Sequence, residues 1–112
     1  MAVVVHPTRA TRDIAHIGVR KGDRMYHVLS DLPGIAGSAE LREFVRACGM
    51  RPEWVQYPGS YREHFDALER LGTCLMRHGA RVVGNHEVAL LLRARRTGNV
   101  ERLGQEEEEG KE

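Results

Sequence analysis

A chain of 112 residues has room for one domain with one modest core. With 41% hydrophobic and 29% charged residues it reads as globular, and it has neither a run of about 18 apolar residues nor an export-like apolar start, so a cytoplasmic protein outside the membrane is expected. The net charge of +1 hides an asymmetry: the last eight residues carry five glutamates and one lysine, which leaves residues 1–104 at +5, most of it arginine.

Taken in order, residues 2–6 predict a short buried strand, because three consecutive valines favour extended backbone, and Pro7 is expected to stop it. Residues 8–13 form an arginine-bearing loop. Residues 14–19 and 25–30 flank Arg20-Lys21-Gly22-Asp23, which predicts a hairpin. In the second arm, alternation puts His27, Leu29 and Asp31 on one face. Asp31 falls at the carboxyl end of that strand, where open α/β sheets gather ligands, or else it only closes the Asp31-Leu32-Pro33-Gly34 turn.

Residues 34–37 read as a flexible connection without the lysine of a phosphate-binding loop. Ser38 then caps a helix whose Leu41, Phe44, Val45 and Cys48 make a core-facing stripe, and Gly49 ends it in the left-handed region. Trp54, the single tryptophan, suits a gap between helices, with stacking on a ligand as the lesser alternative.

Two helix starts compete between residues 57 and 66. Ser60 with Glu63 fits a capping box and Asp66 with Glu69 a looser one; only the later start leaves His64 and Asp66 on extended backbone, side by side. Either helix runs past Leu68, Leu71, Leu75 and Met76 to Gly79. A strand over residues 80–83 and a last helix capped by Asn85 follow, with Val88, Leu91 and Leu92 facing inward and Gly98 as terminator. The prediction is a single small α/β domain over residues 1–104, about three short strands in a mixed sheet packed by three helices, followed by a disordered acidic tail over residues 105–112. Cys48 and Cys74 fall on apolar helix faces, so buried reduced thiols are expected, with a disulfide or a metal pair as lesser alternatives. His16 and His78 are expected at the surface or at a helix end, and His86 in a first turn.

His27, Asp31, His64 and Asp66 are the candidate catalytic and metal-ligating residues, with His6 as a fifth, since imidazole and carboxylate together suit a divalent cation or an acid–base pair. Arg62, Arg70 and Trp54 are the candidate ligand contacts. The convergence is not dictated by spacing: His27 bonded to a carbonyl, Asp31 closing a turn and Asp66 capping a helix account for the same residues.

From residue 22 to 93 the chain resembles a family of short bacterial and phage proteins known as domain of unknown function 4031. The resemblance rests on His27 to Asp31, Glu40-Leu41 with Phe44, Gly49, Trp54-Val55-Gln56, His64-Phe65-Asp66 and Gly79-Ala80, in that order. It implies a strand-end aspartate near the amino terminus, where this chain has His6-Pro7, and a Lys-Arg pair where it has Leu71-Gly72, with Arg70 as a partial substitute. Because those groups are missing, the favoured reading is a non-catalytic accessory module that binds an anionic partner, nucleic acid among them, through its arginines. The alternative is a small metal-assisted hydrolase or nuclease-like enzyme using a divalent cation on the His/Asp cluster.

Overall fold

The structure, a computed structural model, describes residues 3–32 and 34–107. Three valines open β1 (Val3–Arg9), which pairs antiparallel with β2 (Arg24–Ser30) from Val3↔Ser30 to Arg9↔Arg24. The stop expected at Pro7 does not occur. The short β4 (Arg81–Val82) flanks the other side of β1, in parallel, only at Val4 and Val5. Beyond Val5 that side is an edge, where a missing N–H leaves no ladder bond unmade.

The ladder of β1 and β2 takes the place of the expected hairpin. Residues 10–23 instead form a small lobe in which Ile14 and Val19 bridge each other around a single turn at Ala15–Ile17. Ala10, Ile14, Ile17 and Val19 bury there against Met25 of β2, so the apolar residues read as a strand serve a local cluster.

A larger correction concerns residues 60–79. No helix starts at Ser60 or Asp66. Residues 65–68 form β3 (Phe65–Leu68), paired antiparallel with β2 from Val28↔Phe65 to Met25↔Leu68. The chain becomes helical only through the turn Glu69–Leu71 and α2 (Gly72–Arg77). Phe65 and Ala67 are both fully buried on the core face, and this period-two burial outweighs the helical spacing of Leu68, Leu71 and Leu75. The sheet is therefore mixed and four-stranded, in the order β3-β2-β1-β4.

α1 (Gly34–Ala47) begins at Gly34, so residues 34–37 are its first turn and not a linker. A Cβ on Gly37 would lie 2.0 Å from the carbonyl oxygen of Leu32, which is why a glycine stands there. Leu41, Val45 and Cys48 bury as the stripe predicts, and Gly49 (φ 82) ends the helix. Met50 N–H donates to the Val45 carbonyl at 2.9 Å and Gly49 N–H to that of Arg46 at 3.0 Å, a Schellman closure. α3 (Asn85–Glu107) passes through the expected stop at Gly98, since one glycine lowers helix stability by only about 1 kcal/mol. Of the acidic tail expected over residues 105–112, residues 108–112 lie outside the described residues. Among the described residues, no helix is long and apolar enough to cross a membrane.

Alternation gives the sheet two unlike faces. Val3, Val5, Val28, Phe65 and Ala67 point to one side and pack against Leu41 and Val45 of α1 and Leu75 of α2. On the other side the cover is divided. Val4, Leu29 and Val83 pack under Val88, Leu91 and Leu92 of α3, whereas Met25 lies under the lobe of residues 10–23.

Candidate functional site

Between those two covers runs a polar row. His6 pairs with His27 across β1 and β2, and His27 pairs with Asp66 across β2 and β3, so three strands each place one ionisable side chain on the same face. His64 joins them from two residues before Asp66. It is held by a bridge to Gln56, whose N–H donates to the His64 carbonyl at 2.8 Å while His64 N–H donates back at 3.2 Å. Strand geometry, rather than a helix start, puts His64 and Asp66 side by side.

His64 Nε2 lies 3.3 Å and His27 Nε2 3.6 Å from Asp66 Oδ1, and the His27 and His64 rings meet edge to face at 4.8 Å. His64 Nδ1 donates to the Arg62 carbonyl at 2.8 Å, so in the neutral ring the proton sits on Nδ1 and Nε2 turns its lone pair toward Asp66. The 3.6 Å contact is too long for a hydrogen bond. Two ring nitrogens and one carboxylate oxygen, from His27, His64 and Asp66, thus lie within 4.8 Å of one another.

His27 is held down to about 4 from the usual 6.5, chiefly by burial and then by the charge of His64; Asp66 opposes the shift and His6 adds to it. The folded protein therefore refuses a proton that the unfolded chain accepts between those values. The contribution of His27 to stability is whole above pH 6.5 and lost as pH falls through about 4. In EDTA, the melting temperature is expected to fall across that window more steeply for the native protein than for His27→Gln; equal slopes would contradict it.

His6 stands behind this group, its ring 5.8 Å from that of His27. Its Nε2 donates to Asn85 Oδ1 at 2.5 Å, and its Nδ1 is buried without a hydrogen-bond partner among the described residues. Asn85, expected only as a cap, thus also orients a ring of the row.

The other expected residues are distributed differently. Asp31 does not converge with the cluster: it follows the last residue of β2, four positions beyond His27, on the order of 13 Å along the strand at roughly 3.3 Å per residue. Arg62 lies over the Tyr57 ring at 4.2 Å and lines the cleft above the row, a space of about 290 Å³ bounded also by Arg9, Arg12, Gln56 and Tyr57. Arg70 and Trp54 line a second cavity, of about 360 Å³, with His16, Met50 and Asp66, which borders the cleft as well; Trp54 fills space there between two parts of the core as its size suggests.

Arg9 and Arg12 were visible in the sequence only as part of a basic run. Their role emerges from the lobe, which folds them back toward the row. Arg24, Arg42, Arg46, Arg51 and Arg81 each pair with a glutamate. Among the described residues, no carboxylate pairs with Arg9, Arg12 or Arg62; Arg9 and Arg12 donate to the carbonyls of Gly22 and Asp13. Both cysteines are free, and burial together with the hydrogen bond its thiol donates to Cys74 pushes Cys48 up to about 12, too high for a thiolate nucleophile.

Fold and site together define a small mixed-sheet α/β domain with an imidazole–carboxylate cluster on the open part of one sheet face. The chain belongs to the family described as protein of unknown function (DUF4031), whose profile matches residues 13–95. No curated protein and no solved structure shows significant similarity to it.

Proposed function

We propose that the protein is a divalent-cation-dependent hydrolase of phosphodiester bonds. The observation that carries this reading is the convergence of His27, His64 and Asp66 as three acceptors beneath a cleft rimmed by three arginines without carboxylate partners. Two imidazoles and one carboxylate suit zinc, manganese or iron(II), and the same trio occurs in iron oxygenases. The arginines favour the phosphate ester, because guanidinium groups match the geometry of its oxygens. Bound at these ligands, the cation would supply a water of lowered pKa. Arg9, Arg12 and Arg62 neutralise the phosphate, Tyr57 holds Arg62 by its ring, and His6 fixes the rear of His27.

The accessory-module reading draws on the same arginines, and one experiment separates the two. Protein stripped with EDTA is reloaded with Mn2+, Mg2+ or Zn2+ and assayed on bis-p-nitrophenyl phosphate and a single-stranded oligonucleotide. Hydrolysis that EDTA and His64→Ala abolish, with Arg62→Ala acting mainly on KM, is the expected result. Oligonucleotide binding that falls steeply with salt, without turnover under any cation, would replace the enzyme with an anion-binding module.

A further inference from the structure

A second group of ligand atoms lies on the core side of the sheet. Cys48 Sγ, Cys74 Sγ and a ring nitrogen of His78 are all within 4.8 Å of one another. Cys48 follows the last residue of α1 and packs in the core with Val45 and Leu75. Cys74 lies in α2, and His78, which caps that helix, comes one turn later on the same face. The fold thus brings the end of one helix against the last turn of another and places a soft donor on each.

The distances are those of a coordination sphere. Both sulfurs lie 3.6 Å from His78 Nδ1. Around a tetrahedral zinc, with sulfur at about 2.3 Å and nitrogen at about 2.0–2.1 Å, the sulfur–nitrogen edge is roughly 3.6 Å. Both sulfur–nitrogen separations thus match the edges of such a sphere, with the two sulfurs within 4.8 Å of each other. His78 Nδ1 also donates to the Cys74 carbonyl at 2.9 Å. The ring is exposed, so ligation requires the proton to move to Nε2 and Nδ1 to turn from that carbonyl toward the sulfurs.

We propose that Cys48, Cys74 and His78 bind a thiophilic divalent cation of the zinc class, with water in the fourth position. The cation ties the end of α1 to α2. That helix has only six residues, too few to hold itself by its own hydrogen bonds. This site is independent of the His/Asp row, which lies on the opposite face, and it binds by softness where the row binds by imidazole and carboxylate.

Cobalt(II) is the probe. EDTA-stripped, reduced protein titrated with Co2+ is expected to develop the near-ultraviolet absorption of sulfur-to-cobalt charge transfer, and Zn2+ is expected to bleach it. Cys48 is part of the core, so the test rests on Cys74→Ser and His78→Ala, at half-exposed and exposed positions. The first should abolish the sulfur band and the second should weaken cobalt binding at least tenfold. His64→Ala should retain the band, which separates this site from the row. Cobalt binding without a sulfur band, or a band unchanged in Cys74→Ser, would overturn the proposal. So would a native protein whose mass is lower by the two thiol hydrogens and which takes up no metal at these residues, since the pair would then be a disulfide.

Discussion

Asp66→Asn is expected to raise the melting temperature in EDTA and to remove the increase that Mn2+ or Zn2+ should produce in the native protein. Asp66 is only 6% exposed, and its Oδ1 faces His64 Nε2 and His27 Nε2. With the His64 Nδ1 proton directed to the Arg62 carbonyl, the Nε2 lone pair of the neutral ring faces an almost wholly buried carboxylate, acceptor against acceptor. A buried polar group left in that condition costs about 1–3 kcal/mol, more when charged. Asparagine offers an N–H to that lone pair and carries no charge, so relief of that order appears as stability. Loss of the one anionic ligand should lower cation affinity by about a hundredfold or more, near 2.7 kcal/mol. A cation-induced rise in Asp66→Asn as large as in the native protein would remove Asp66 from the site.

Glu63→Gln should be among the most destabilising single changes in the chain, by about 3–5 kcal/mol, because it leaves the buried Arg95 and the partly exposed Arg42 without their anion. Glu63 is 3% exposed, and its carboxylate accepts from Arg42 at 3.1 Å, from the Ser38 hydroxyl at 3.1 Å and from the Gly59 N–H at 3.4 Å. Arg95 of α3, 4% exposed, reaches the Glu63 carbonyl at 3.2 Å, while its other two guanidinium nitrogens have no partner among the described residues. Burial depresses the pKa of that guanidinium and the charge of Glu63 supports it. Urea unfolding measures the effect as a lower midpoint at unchanged slope. Adding Arg95→Met to Glu63→Gln should recover part of the loss by removing the stranded charge; a double variant less stable than the single one would show that Arg95 contributes by packing. Glu63 lies between Arg62 and His64, so the same substitution should weaken cation binding as well.

The resemblance to the family and the outline of the fold were legible in the sequence wherever one physical signal acted alone. β2, the stripe of α1, the glycine closures at Gly49 and Gly79, and the inward face of α3 follow from local periodicity and turn chemistry. β3 did not, because Leu68, Leu71 and Leu75 carry a helical spacing while Phe65 and Ala67 carry a strand spacing, and only the waiting edge of β2 decides between them. Pro7 misled for a related reason: its penalty depends on whether a neighbour wants its N–H, which is a property of β4, more than seventy residues away. The site was half legible. His27, His64 and Asp66 could be singled out by residue type, but Asp31 was added on a strand-end argument that fails once the row is seen to cross the middle of the strands. Arg9, Arg12 and Asn85 join the site through loop folding and a helix start, which leave no local signature.

The row drawn from residues 6, 27 and 66 makes strand alignment and ligand affinity a single property. Sliding β2 by one position would bring Tyr26 or Val28 into line and turn His27 toward the apolar interior. A misaligned sheet would therefore have nothing with which to grip an ion, and an ion bound at the row would discriminate against every misalignment. Tight binding at this place would proofread the pairing of three segments that are far apart in the chain.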